Sequence, residues 1–245
     1  MNRLTARTRV EKTAERVAKQ IFADIIANDM KPGDMLPSEQ VMLERYGTGR
    51  ASLREALWLL EMYGILWVKI GPGGGPVVGD LRTDDFARLT IPFLQARRGT
   101  INHLLDARLA LEPLMARMAA NAISEAGAAE LKQALLAGHQ TINRPGNEWG
   151  DASARFHALI GELSGNVILS MFNGALTSIF VDRVQAIYSG QARETVHNTH
   201  SEICDAIVSG DGAAAESLMR GHVTEMIDRV RARIPGLLEE VIEWR

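Results

Sequence analysis

The chain has 245 residues and a formal net charge of −3, set by 27 Lys and Arg against 30 Asp and Glu. At 46% apolar and 23% charged it is ordinary globular material, long enough for one large domain or two modest ones, which excludes wholesale disorder. With aromatics at only 5%, helix formers plentiful and Cys204 the only cysteine, a β-sandwich or barrel, an intrachain disulfide and a Cys-rich zinc module are excluded as well.

The basic N-terminus lacks the apolar stretch of a secretory signal, and no apolar run is long enough to span a bilayer. The expected location is the cytoplasm, with no membrane partner. Residues 1–80 carry net +1 and residues 81–245 net −4. Basic side chains cluster in the first part: Arg3, Arg7, Arg9 and Lys12 form an arm, and Arg45, Arg50 and Arg54 follow. Such a local surface can bind phosphate although the whole chain is acidic, while the alternative is a set of ordinary solvated charges.

The first amphipathic stretch runs over residues 13–30. Val17, Ile21, Phe22 and Ile25 fall at helical spacing, Thr13 is the expected cap, and Lys31-Pro32-Gly33 is the stop. A short helix is expected after Pro37, capped by Ser38, with Val41, Leu43 and Tyr46 inward and Gly47 closing it. A third begins at Gly49, with Leu53, Ala56, Leu57 and Leu60 as its stripe and Gly64 as its end. Two short helices across a tight glycine turn have the shape of a helix-turn-helix. The pattern then changes to two short β-branched runs, residues 65–70 and 76–80, around the glycine-rich Gly71–Gly75. Three helices and a hairpin make a winged helix-turn-helix, with the hairpin tip as the wing.

Beyond residue 80 only helical patterns occur, over roughly 83–97, 100–122, 125–142, 150–163, 167–188, 191–209, 212–232 and 236–243. Helix breakers separate them and nothing repeats at a fixed period, so the expected fold is mainly α: a winged helix-turn-helix over 1–80, then an all-helical antiparallel bundle over 81–245.

Several elements in order resemble the DNA-binding domain of the GntR family of bacterial transcription regulators. They are Pro32-Gly33, Leu36-Pro37-Ser38-Glu39, Arg50, Leu53-Arg54-Glu55-Ala56-Leu57, Leu60-Glu61, Gly64 and the glycine wing. The helical remainder resembles the FCD-type effector domain of the FadR subfamily, through Arg108 to Glu112, Phe156-His157, Ser164-Gly165-Asn166, His200 to Gly210-Asp211, and His222. The resemblance implies that the residues matching Arg50 and Arg54 contact bases. Independently, two arginines four apart share one face of the helix that would enter the major groove, and each can pair bidentately with guanine. Ser38, Thr48 and Ser52 are candidate phosphate contacts, and Lys69 and Gly71 would bring the wing near the backbone or minor groove. The alternative for Arg54 is a salt bridge to Glu55 or Glu61. Many relatives carry Arg where Gln40 stands, and Gly49 and Ala51 replace polar neighbours, so fewer hydrogen-bonding side chains are available to set operator sequence and affinity.

Of six histidines, His103, His139, His157, His197, His200 and His222, the third, fifth and sixth match the family's metal-binding positions. The resemblance implies a divalent metal (Zn²⁺, Ni²⁺, Mn²⁺ or Fe²⁺) held by His157, His200 and His222, with open positions for a carboxylate effector. Metal-binding relatives have Asp four residues before the first histidine; here Ser153 stands there. Asp151, two residues further back, is turned by about 200° on a helix. The alternative is a polar histidine cluster that touches the effector directly. Candidate effector contacts are Arg108, Ser153 and Asn166; Arg108 is either a fork for a carboxylate or an ion-pair partner of Asp106 or Glu112, and Asn166 is either a helix cap or a contact.

These readings make the chain a non-enzymatic, ligand-responsive regulator. It would bind double-stranded, palindromic operator DNA as a homodimer, acting as a repressor released by a small organic acid. The rivals are a metal-dependent hydrolase built on the histidine-lined bundle and an architectural DNA-binding protein without an effector. Against the hydrolase, no HExxH or GxSxG element is present.

Overall fold

A computed structural model describes residues 12–184 and 188–243. Arg3, Arg7 and Arg9 of the expected basic arm lie outside the described residues. The chain divides into two compact units, one ending at Asp85 and one beginning at Phe86.

The first unit contains α1 (Thr13–Ala27), α2 (Glu39–Tyr46), α3 (Arg50–Met62), β1 (Leu66–Lys69) and β2 (Gly75–Val78). Its core is formed by Val17, Ile21 and Ile25 of α1, Met42 of α2, Leu53, Ala56 and Leu60 of α3, and Leu66 and Val78 of the hairpin. Two expectations differ from the structure. Phe22 is 36% exposed because the buried stripe consists of Ala14, Val17, Ala18, Ile21 and Ile25, and position 22 lies at its edge. On α2, Met42 is fully buried while Val41 is 46% exposed. Eight residues give little more than two turns, too few for periodicity to fix which face turns inward. Thr13 lies inside α1, whose cap is Lys12 without a side-chain bond.

Ser38 caps α2, its hydroxyl accepting from the Val41 N–H at 3.5 Å. Gly47 ends that helix in the left-handed region (φ 55°), where a side chain would be strained, and α3 starts three residues later. The hairpin is antiparallel, with Leu66 opposite Val78 and Lys69 opposite Gly75. At its tip the Gly74 N–H donates to the Gly71 carbonyl at 2.8 Å. A Cβ on Gly74 would lie 2.2 Å from the Lys69 carbonyl oxygen, so the tight wing requires glycine there.

The remaining helices are α4 (Thr83–Ala96), which crosses the division between units, α5 (Ile101–Ala122), α6 (Glu125–Thr141), α7 (Glu148–Leu163), α8 (Val167–Val184), α9 (Gly190–Val208) and α10 (Gly212–Arg233). Thr100, Ser124 and Asp211 cap α5, α6 and α10 through their side chains. α5 is central: it packs on α7, α8, α9 and most extensively on α10. Around it Leu105, Met115, Ala116, Phe156, Ile160, Ile203, Ile207, Met219 and Val223 form one apolar core.

The expected last helix over 236–243 is instead a short 3₁₀ turn, Pro235–Glu239. The chain after it pairs with the start of α5: the Ile101 N–H donates to the Glu240 carbonyl at 3.0 Å and the Ile242 N–H to the Gly99 carbonyl at 2.8 Å. These backbone partners replace the intrahelical bonds a longer helix would need. Of the helix expected over 167–188, residues 185–187 lie outside the described residues.

Candidate functional site

The first unit presents α3 as a cationic face. Arg50 is the first residue of the helix and Arg54 follows one turn later; both are exposed. Among the described residues neither makes an ion pair. Glu55, one of the expected alternatives for Arg54, faces Lys12 at 3.8 Å instead. Arg45 is held at 3.4 Å from Asp24, whose carboxylate also accepts from the Tyr46 hydroxyl at 2.9 Å. Lys69 and Gly71 are exposed on the wing, Ser38 is exposed at the start of α2, and Ser52 is half-buried on the first turn of α3. Thr48 is placed differently from the expectation. Its Oγ1 is shielded from solvent and has no hydrogen-bond partner among the described residues, so the hydroxyl is not presented to a phosphate. Gln40, where relatives carry Arg, donates to Glu44 at 2.7 Å.

The second unit brings His157 of α7, His200 of α9 and His222 of α10 together in the bundle interior, all buried. His222 Nε2 lies 3.2 Å from His200 Nε2 and 3.3 Å from His157 Nε2. Two nitrogens bound tetrahedrally to one ion at about 2.0–2.1 Å would lie about 3.3 Å apart, so the spacing fits a divalent metal. Burial, reinforced by His157, pushes the His222 imidazole down to about 3. Burial, then His222 and His157, hold His200 well below its ordinary value. These two rings are therefore neutral at pH 7, with lone pairs available to a cation.

Glu112 organises this cluster. Its Oε2 lies 2.7 Å from His157 Nδ1, and its Oε1 accepts from Arg108 Nε at 2.6 Å. Burial opposes its ionisation, but the charges and hydrogen bonds of Arg108 and His157 outweigh that and hold the carboxyl well below the usual carboxylate range. An ionised carboxylate only accepts, so His157 donates from Nδ1 and turns its other nitrogen toward His222. A carboxylate behind a metal-binding histidine fixes ring orientation and raises ligand basicity. Sequence reasoning placed Glu112 only as an ion-pair alternative for Arg108.

A cavity of about 40 Å³ opens beside the triad, lined by Arg108, Ser153, His157, Thr177, Tyr188 and His222 among others. For Arg108 the ion-pair alternative with Glu112 is the one observed. It pairs with Glu112 through Nε, while Nη1 touches only Met226 Sδ at 3.6 Å, so among the described residues its terminal nitrogens have no oxygen partner. Ser153 stands at the wall one turn before His157. α7 begins regularly at Glu148, so Asp151 is an exposed first-turn residue and does not reach the triad. Asn166 lies elsewhere: its Oδ1 accepts from the N–H groups of Ile168 and Leu169 at 3.1 and 3.2 Å, capping α8, and it does not line the cavity. Sequence reasoning missed Thr177, whose buried Oγ1 has no partner among the described residues. It also missed Asn173 one turn earlier, whose Nδ2 donates to the His157 carbonyl at 3.5 Å. Polar residues four apart in the uncharged stretch over 167–181 were the available signal.

Comparison with known proteins agrees with both halves. Residues 13–77 match the family model described as "Bacterial regulatory proteins, gntR family", and residues 103–225 match the FCD domain. The chain belongs to the GntR family of bacterial regulatory proteins and carries an FCD domain. It is similar to the HTH-type transcriptional regulator LutR of Bacillus subtilis (strain 168), 26% identical over 221 residues that cover 88% of this chain and 98% of that one. It is likewise similar to the transcriptional repressor NanR of Enterobacter sp. (strain 638), at 26% identity over 88% of this chain and 84% of that protein. Among solved structures, Streptococcus agalactiae GntR shares the fold, with a TM-score of 0.65 at 22% identity over 87% of this chain and 98% of that one.

Proposed function

We propose that the protein is a cytoplasmic, ligand-responsive transcription regulator that binds a two-fold symmetric operator as a homodimer and responds to a small organic acid. The observation that carries the DNA half is the exposed, unpaired Arg50 and Arg54 at the start of a helix that a winged helix-turn-helix lays into the major groove. Arg50 and Arg54 read base edges; Ser38, Ser52 and Lys69 hold the phosphate backbone, with Gly71 allowing close approach. Related proteins carrying the names of regulators and repressors support this reading.

The effector half rests on charge. Arg108 and Glu112 cancel, and His200 and His222 are neutral, so the buried site has little net charge to offer an anion by itself. A divalent metal on His157, His200 and His222 would supply a Lewis-acidic centre with open positions for a carboxylate oxygen. The free end of Arg108, the Thr177 hydroxyl and Ser153 would orient the rest of the ligand. The hydrolase alternative finds no support: both oxygens of Glu112, the carboxylate beside the triad, are already committed, which leaves no general base there. No helix among the described residues is long and apolar enough to cross a membrane.

Selection of duplexes from a random DNA pool by full-length protein tests the reading. Enrichment of a two-fold symmetric site is expected, followed by a change in affinity for that site when small carboxylates are added with metal. A pool that stays random after repeated selection sinks it.

A further inference from the structure

Two histidines outside the buried triad face each other on the surface of the second unit. His139 is exposed in the last turn of α6 and His197 is partly exposed on α9. Their ring centroids are 4.7 Å apart with the planes tilted by 41°. The buried triad supplies a yardstick within the same molecule, since its three ring pairs lie at 4.7, 5.0 and 5.1 Å. Two imidazoles sharing one ion at metal–nitrogen distances of about 2.0–2.1 Å place their centroids about 4.5–5.2 Å apart.

Two further features suit a cation. The pair sits at the C-terminal end of α6, where the helix dipole is negative. α9 is tied to the chain just beyond that end: Arg193 Nη1 donates to the carbonyls of Ile142 and Arg144 at 3.1 and 3.2 Å, so the two rings are carried on braced backbones.

We propose that His139 and His197 form a second, solvent-facing site for a borderline divalent cation of the Zn²⁺, Ni²⁺ or Cu²⁺ class, separate from the buried triad. Imidazole nitrogen suits these ions, and two of them leave the other positions to water. His197 is one helical turn before His200, and a small cleft of about 10 Å³ is lined by both, together with Ser153 and Phe156. The outer site therefore stands on the solvent side of the buried one.

Equilibrium dialysis of untagged full-length protein against Ni²⁺, followed by metal analysis, tests this. The His139→Ala/His197→Ala variant changes only side chains with solvent access, and its melting temperature checks that it folds. It is expected to bind one equivalent fewer than the unaltered protein, whereas a His157→Ala/His222→Ala variant keeps the outer equivalent. In the His157→Ala/His222→Ala background, Cu²⁺ is expected to show nitrogen hyperfine splitting that the further substitutions His139→Ala and His197→Ala remove. If that variant binds as much Ni²⁺ as the unaltered protein, the inference is overturned. If the unaltered protein binds a single equivalent that His139→Ala abolishes, the outer site stands and the metal reading of the buried triad falls.

Discussion

Arg108 and Glu112 are 2% and 1% exposed, and each compensates a charge the other would leave stranded. Removing one member of a buried pair typically costs about 3–5 kcal/mol, more than the pair itself contributes. Arg108→Ala is therefore expected to lower stability by roughly that amount in chemical denaturation. Adding Glu112→Gln in the same chain should recover part of the loss. Glu112→Gln alone leaves the Arg108 charge unpaired and His157 without its anionic acceptor, so a drop of about 10–100-fold in metal affinity is expected at the triad. The depressed imidazoles of His200 and His222 predict a pH dependence with a definite sign. Their unfolded values lie near 6.5, above the folded ones, so the unfolded chain binds more protons as the pH falls. Stability from these groups is complete above about 6.5 and drains away toward about 3, the value to which His222 is pushed. Urea titrations of metal-free protein across that window check this, and His222→Gln should flatten the acid limb.

At the scale of elements, the recognition helix and the wing make separable contributions. Arg50→Ala and Arg54→Ala should each lose about 1–3 kcal/mol of discrimination at one operator position, roughly 5–150-fold in affinity ratio. Lys69→Ala should weaken all duplexes alike and reduce the salt slope by about one phosphate contact. Competition binding at two salt concentrations distinguishes these effects. The elements themselves were largely legible in the sequence because breakers and caps carry local physics: Ser38, Gly47 and Gly64 end or begin helices by their own chemistry. What was not legible depended on partners distant along the chain. The last segment becomes a 3₁₀ turn because residues 99–101 offer it backbone bonds, and no local signal announces that. Convergence of His157, His200 and His222 involves three helices, and their spacing in sequence says nothing about it; the expectation came from family resemblance. Thr177 and Asn173 were visible as polar intrusions in α8, but their inward direction follows from how α8 packs on α7.

Over the whole molecule, regulation requires a coupling free energy between the two sites, and such coupling is reciprocal. A carboxylate that weakens operator binding by some factor must itself be bound more weakly, by the same factor, when the operator is present. Typical couplings of about 1–3 kcal/mol would appear as shifts of roughly 5–150-fold in either titration. The geometry also predicts how the two halves can be separated. Arg108→Lys keeps a positive charge near Glu112 but loses the planar fork whose free nitrogens face the cavity. It should retain operator affinity while losing the response to effector. Arg50→Ala should do the reverse, with weak operator binding but an unchanged thermal shift when metal and effector are added. Fluorescence anisotropy on labelled operator and melting curves on the same preparations give both readouts. If Arg108→Lys lowers operator affinity as far as Arg50→Ala does without effector present, the bundle is supporting the DNA reader rather than signalling to it, and the regulatory reading of the cavity is lost.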